Sequence, residues 1–230
     1  MEKSILPVLE LIHTGHHFPD PSGSVHNLIQ GVSLTLKSAE DIAVTGPSGS
    51  GKTTLLRIAG SLLSPAEGTV RICGQNPYTL NDSQLSILRR TTLGFVFQQH
   101  CLLQQLTALE NALLPFLAAA NTVPEEASVR VKELFRLAGM DTRMHSYPEN
   151  LSGGECQKTA VIRALAPQPK LLLADEPTGS LDRKSADIVA GFFFDLAAHN
   201  GCATFIMTHD LHLAKRCAGN ARLENGRLQL

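Results

Sequence analysis

The chain has 230 residues, 43% of them apolar, enough for one domain with a substantial core. Its 20 basic residues balance 21 acidic ones for a formal charge of −1, which excludes the basic footprint of a nucleic-acid binder. The five cysteines, Cys73, Cys101, Cys156, Cys202 and Cys217, form no C-x-x-C pair and read as reduced thiols in a cytosolic setting.

The first 45 residues are β-rich, with VLEL (8–11), VSLTL (32–36) and IAVT (42–45) as strands, and the N-terminal MEKSILPVLELIHTG has no secretory core. His13, His16 and His17 lie in this entry without matching acids or thiols, so a metal site there is disfavoured. GPSGSGKTT (46–54) then matches G-x-x-x-x-G-K-[ST] in full. Gly46, Gly49 and Gly51 let the backbone curl until successive N–H groups face a phosphate. Lys52 offers a cation to the β- and γ-phosphates, and the Thr53 hydroxyl suits Mg²⁺. The whole loop, with Pro47, Ser48, Ser50 and Thr54, is the candidate phosphate cradle at the start of a helix over 53–63.

Strands follow at GTVRICG (68–74) and LGFVF (93–97), with Arg89 and Arg90 expected on a solvated face. From about 99 to 158 the chain reads as a helical insertion, with helices near 105–120 and 125–139. Its longest apolar run, ALLPFLAAA (112–120), falls far below the ~18–20 residues that span a bilayer, so any membrane role must come through a partner. At LSGGECQK (151–158), Ser152 and Glu155 form a capping box that opens a helix over 153–166. Gly153 and Gly154 leave that positive helix end without side chains, as an anion site. Cys156 falls where a small apolar group staples against Leu151.

LLLADEP (171–177) is a buried strand that delivers Asp175 and Glu176 at its C-terminal end, where open α/β sheets bind ligands. Asp175 suits Mg²⁺ and Glu176 suits the activation of water. A helix over 184–198, the strand ATFIMT (203–208) and a helix near 211–216 complete the alternation, which predicts an α/β parallel sheet. A GTPase would need a guanine-reading N-K-x-D, and no such tetrad occurs.

Taken together and in this order, these segments resemble the ATP-binding-cassette ATPases over essentially the whole chain. The resemblance implies a P-loop NTPase (RecA-like) α/β core with an antiparallel β part and an inserted helical subdomain. It also implies ATP and Mg²⁺ as cofactors. Phe18 falls where that family stacks an aromatic on adenine, a position usually held by tyrosine. Gln98 matches the glutamine that contacts Mg²⁺ or the water and senses the transport partner. Ser180, Leu181 and Asp182 match the D-loop, and His209 matches the switch histidine of the γ-phosphate. In that family two copies pair head to tail, each ATP lying between one chain's phosphate loop and the other's LSGG.

The span from Gln98 to Ser152 is too short for the coiled coils of repair ATPases, and no zinc-type cysteine cluster appears. The expectation is a subunit on the cytoplasmic face of a bacterial inner membrane, docked on a separate integral-membrane permease. LTALENALLP (106–115) and LLLADEPTGSLD (171–182) look like the lipoprotein-release and macrolide-export group. A cell-division cassette and a soluble repair or translation ATPase stand as alternatives. Where the family usually reads EQQR after LSGG, this chain has ECQK, so Lys158 keeps the charge of an arginine without its planar fork.

Overall fold

The computed structural model describes residues 6–19, 25–120 and 122–230, with side chains for 6–18, 27–117 and 122–230. Among the described residues nine strands form two sheets. The smaller is antiparallel, in the order β2 (Val25–Leu36), β1 (Leu9–Pro19), β4 (Glu67–Ile72). The larger runs β5 (Leu93–Phe97), β6 (Leu171–Asp175), β7 (Ala203–Met207), β3 (Asp41–Thr45), β8 (Gly219–Glu224), β9 (Arg227–Gln229). Its first five strands are parallel, and β9 folds back antiparallel on β8.

A parallel sheet is covered on both faces, so its strands are apolar throughout and their alternate side chains enter two cores. Leu171 and Leu173 of β6, with Ala203, Phe205 and Met207 of β7, face the β1–β2 sheet and helix α1 (Lys52–Ala59). Leu172, Ala174 and Ile206 face the opposite core, built from α3 (Ala108–Ala120), α4 (Glu125–Leu137), α5 (Gly153–Leu165) and α6 (Arg183–His199). Phe205 is fully buried in the first core and Phe193 nearly so in the second, each contributing about 1.5–3 kcal/mol by burial. Gly60, at the end of α1, is there because a Cβ would lie 2.6 Å from the Phe95 ring and 2.8 Å from Leu173.

Several elements depart from the sequence reading. β1 runs to Pro19, well past VLEL, because bulges and a left-handed His13 (φ 47°) break the alternation that marks a strand. Helix α2 (Asp82–Thr92) stands where no helix is read, opened by a capping box between Asn81 and Gln84. The β8–β9 hairpin turns on Asn225 (φ 50°) and Gly226 (φ 76°), and the Gly226 carbonyl accepts the Gln30 N–H of β2 at 2.7 Å. The helix read over 53–63 closes earlier, at Ala59, and the last helix, α7, covers only Leu211–Ala214.

Arg89 is also not a solvated residue. It is half-buried, and its guanidinium donates to the Ser61 hydroxyl at 3.0 Å and to the Ser61 carbonyl, tying α2 to the turn after α1. Among the described residues no helix is long and apolar enough to cross a membrane.

Candidate nucleotide site

The loop between β3 and α1 is shaped by contacts that admit no side chain. A Cβ on Gly46 would fall 2.3 Å from the Leu223 carbonyl oxygen and 2.9 Å from the Ser50 hydroxyl. Gly51 caps α1 in a left-handed conformation (φ 98°) with no side-chain hydrogen bond, so the first N–H groups of the helix stay bare. The Ser50 hydroxyl is buried and has no hydrogen-bond partner among the described residues. Lys52 is 9% exposed, and its ammonium donates to the carbonyls of Gly46 at 2.8 Å and Pro47 at 3.0 Å.

This loop opens on a cleft of about 450 Å³ lined by Ser48, Gly49, Gly51, Lys52, Thr53 and Thr54, with Leu28, Gln98, Asp175, Glu176 and His209. Pro47 and Ser50 face an adjoining groove of about 270 Å³ beside Asn27 and the Asn225–Gly226 turn. Parallel pairing of β6 with β7 and β5 brings Asp175 level with Met207 and Phe97, so the segments after three strands converge here.

Thr53 donates its hydroxyl to Asp175 Oδ2 at 2.8 Å. Burial pushes the Asp175 carboxyl above the usual carboxylate range; the Thr53 hydrogen bond opposes this, and the neighbouring Glu176 adds to it. The folded chain therefore takes up a proton at Asp175 more readily than the unfolded chain does. Stability is lost as pH rises through that raised value, because ionised Asp175 is disfavoured only when folded. Asp175→Asn keeps the acceptor for Thr53 and removes the charge. It should raise the unfolding midpoint at pH 7 in calorimetry, by about 2–4 °C for each kcal/mol gained, with the gain shrinking toward acid pH. Magnesium-dependent turnover should fall in the same variant.

Glu176 is held from three sides. Its Oε1 accepts the His209 backbone N–H at 2.9 Å and lies 2.7 Å from His209 Nδ1, while Oε2 accepts the Thr208 hydroxyl at 3.0 Å. Against an ionised carboxylate only a protonated Nδ1 fits, which leaves Nε2 as the other face of the ring. Glu176 itself sits at φ 47°, a conformation that a side-chain-bearing residue adopts at a cost of about 1–3 kcal/mol. The chain bears that cost to aim this carboxylate. Thr208 is a site residue that the sequence reading missed; its signal is the hydroxyl directly before His209 in MTHD.

The residues present fit a magnesium nucleotide. The loop curls through glycines at 46 and 51 that admit no Cβ, the buried Ser50 hydroxyl has no partner among the described residues, and Thr53 with Asp175 is a pair of hard oxygen donors of the kind Mg²⁺ takes.

Other residues named from the sequence lie elsewhere. Phe18 is 44% exposed on β1, paired in register with His26 and edge-on to His16 at 4.8 Å, outside the cleft lining. Ser152 and Glu155 form the expected capping box, with the Ser152 N–H donating to Glu155 Oε2 at 2.8 Å and the Glu155 N–H donating to the Ser152 hydroxyl at 3.3 Å. Arg143 adds an ion pair to Glu155 at 3.0 Å. Gly153 and Gly154 face Leu181 and Ser185, beside the start of α6, and not the loop of their own chain. Asp182 caps α6 through the Ser185 N–H at 3.1 Å, and hydrogen bonding from the Ser185 hydroxyl, then from that N–H, holds its carboxyl below the usual range. Cys156 is buried against Leu102, Ala160 and Leu151, and burial pushes its thiol up, which suits an inert staple. Lys158 makes a single bond to the Ala138 carbonyl at 2.8 Å, at the end of α4, and lies over the Phe192 ring.

Comparison with known proteins bears on this geometry. The family description "ABC transporter" matches residues 29–179. The lipoprotein-releasing system ATP-binding protein LolD of Shewanella frigidimarina is 38% identical over 231 residues, covering all of this chain and 95% of that one. Its namesake in Gluconobacter oxydans is 43% identical over 201 residues, or 87% of each chain. Among solved structures, the dimeric bacterial ABC transporter cassette MJ0796 superposes with a TM-score of 0.86 at 34% identity, covering 96% of this chain and 97% of that one. The same cassette in a post-hydrolysis dimer bound to ADP and Pi gives a TM-score of 0.85 at 33% identity over the same shares. With the phosphate loop, the paired carboxylates and the LSGG helix in their expected order, the chain belongs to the ABC transporter family and is one of its ATP-binding ATPases.

Proposed function

We propose that this chain hydrolyses ATP as a head-to-tail pair of identical copies and so drives a separate integral-membrane permease from the cytoplasmic face of the membrane. The observation that carries the reading is the convergence of Lys52, the Thr53–Asp175 pair and the Glu176–His209 pair on one cleft, while the bare start of α5 faces elsewhere. A second anion site on the same chain calls for a neighbour's phosphate, so each cleft is completed by Ser152, Gly153 and Gly154 of the other copy.

In this reading the loop N–H groups and Lys52 bind the phosphates, and Thr53, Asp175 and Gln98 hold Mg²⁺. When bound, Mg²⁺ neutralises charge on the phosphate oxygens. Glu176 takes the proton of the attacking water, with His209 and Thr208 fixing its two oxygens. Phe18 stacks on the adenine. The helices between residues 99 and 158 form the subdomain that carries α5 to the partner.

The permease seat in this reading is a groove of about 590 Å³ whose lining includes Phe97, directly before Gln98. Leu85, Phe95, Phe97 and Pro115 give it an apolar lining, to which Arg89, Arg90 and Arg163 also contribute. The cargo class is the one for which the relatives are named, lipoproteins.

Mixing tests the pairing. Lys52→Ala and Gly153→Asp chains should each be inactive alone, whereas their mixture should recover about a quarter of the unsubstituted rate, because half the pairs are mixed and each carries one whole site. No recovery on mixing would sink the shared site. Purification from detergent-solubilised membranes should bring down an integral-membrane protein; ribosomes or DNA in its place would favour the soluble alternatives.

A further inference from the structure

The tail of the LSGGECQK segment carries a buried side chain for which neither phosphate nor metal accounts. Gln157 lies on α5, one turn after Gly153, and is 1% exposed. Its amide nitrogen donates to two backbone carbonyls, Phe97 O at 3.0 Å and Pro177 O at 2.7 Å. Phe97 directly precedes Gln98, and Pro177 directly follows Glu176. Phe97 and Asp175 are also the last residues paired between β5 and β6. Gln157 therefore clips the two segments together at the point where the sheet's own hydrogen bonds stop. On the far side, the Ser180 hydroxyl donates to the Gln98 carbonyl at 3.1 Å, so the Gln98 backbone is fixed both before and after its side chain.

The arrangement is costly. Gln157 Oε1 is buried and has no hydrogen-bond partner among the described residues, and such an orphan acceptor costs about 1–3 kcal/mol. A methionine of similar volume would fill the space without that cost. What the amide supplies and methionine cannot is the pair of donated bonds.

We infer that Gln157 is a positioning residue for hydrolysis, which ties Gln98 and Glu176 to the helix whose start meets the partner's phosphate. Displacement of the α5 N-terminus then reaches both residues through one rigid amide. The inference rests on the ATPase reading above and adds to it a route between the site that α5 lends and the site that its own chain keeps.

Steady-state ATPase assays and fluorescent-nucleotide binding test it. Gln157→Met should lower kcat by about 10- to 100-fold, the scale of an ångström-level misplacement, while the affinity for ATP stays within twofold. In a Glu176→Gln background the same substitution should cost clearly less than in the unsubstituted chain, because one of the two groups it positions is already gone. A merely structural role predicts the reverse: a lower unfolding midpoint, an unchanged kcat per nucleotide bound, and additive losses. Gln157→Asn, one methylene shorter, serves if the methionine chain does not fold. Either folded variant with kcat within twofold of the unsubstituted chain overturns this inference alone, whereas an unsubstituted chain without turnover overturns it together with the ATPase reading.

Discussion

Glu176→Gln should reduce ATP turnover by about 100- to 10,000-fold, the range for loss of a positioned general base, while leaving ATP binding intact. The structure separates the two effects. Glutamine keeps an oxygen for the His209 N–H and the Nδ1–H, and its amide can donate to Thr208 Oγ1, which itself accepts the Asp210 N–H at 3.0 Å. The local frame thus survives, and only the capacity to take a proton goes. Binding without hydrolysis should leave the paired copies together, so gel filtration with ATP and Mg²⁺ should show a dimer. A variant that turns over at the normal rate, or that elutes as a monomer with ATP bound, would refute the role given to Glu176.

Gly46→Ala should act earlier, on the cradle. The added Cβ meets the Leu223 carbonyl oxygen at 2.3 Å, well inside any tolerated contact, and that oxygen is backbone of a fully buried residue of β8, paired with β3 on one side and β9 on the other. It has no room to withdraw, so the loop must swing away and carry Ser50 and Lys52 with it. ATPase activity should fall by about 100-fold or more, and ATP affinity should weaken with it. Gly74→Ala is the control: that glycine is also left-handed (φ 80°), yet nothing lies within 4 Å of its Cβ. It should cost about 1–2 kcal/mol of stability and leave nucleotide affinity alone. Equal loss of affinity in the two variants would mean that the Leu223 contact is irrelevant to the loop.

The site was legible where chemistry demands fixed residue types at fixed spacing. The glycines and Lys52 at 46–53, the carboxylates ending an apolar strand, and the Ser152–Glu155 box each carry their reason in the local chain, and the structure keeps the geometry that each implies. What escaped was set by distance along the chain. The bond from Glu176 to His209 spans 33 residues, and those of Gln157 span 60 and 20, so no local pattern announces them. The contact that forbids a side chain at Gly46 comes from Leu223, far along the chain. Other misses were readable. Asn81–Gln84 is a capping box in polar sequence, overlooked because α2 buries only Leu88, and Asn225–Gly226 is a hairpin signal between two short strands. The packing of Cys156 on Leu151 is legible because the two are only five residues apart.

The place of β3 in the larger sheet has a consequence for biosynthesis. Its neighbours are β7 and β8, made more than 150 residues after it, so Asp41–Thr45 leaves the ribosome with neither strand available to pair. The phosphate loop that follows β3 leans on Leu223, so it too lacks its backing until β8 has emerged. Such long-range pairing is slow, and it leaves apolar strands unpartnered during synthesis. A nascent chain that stops short of β8 should therefore bear the entire GPSGSGKTT sequence and still be unable to hold ATP. The nucleotide can then reach only copies in which β7 and β8 have paired with β3, and these later strands act as the checkpoint on chemistry encoded far earlier in the chain.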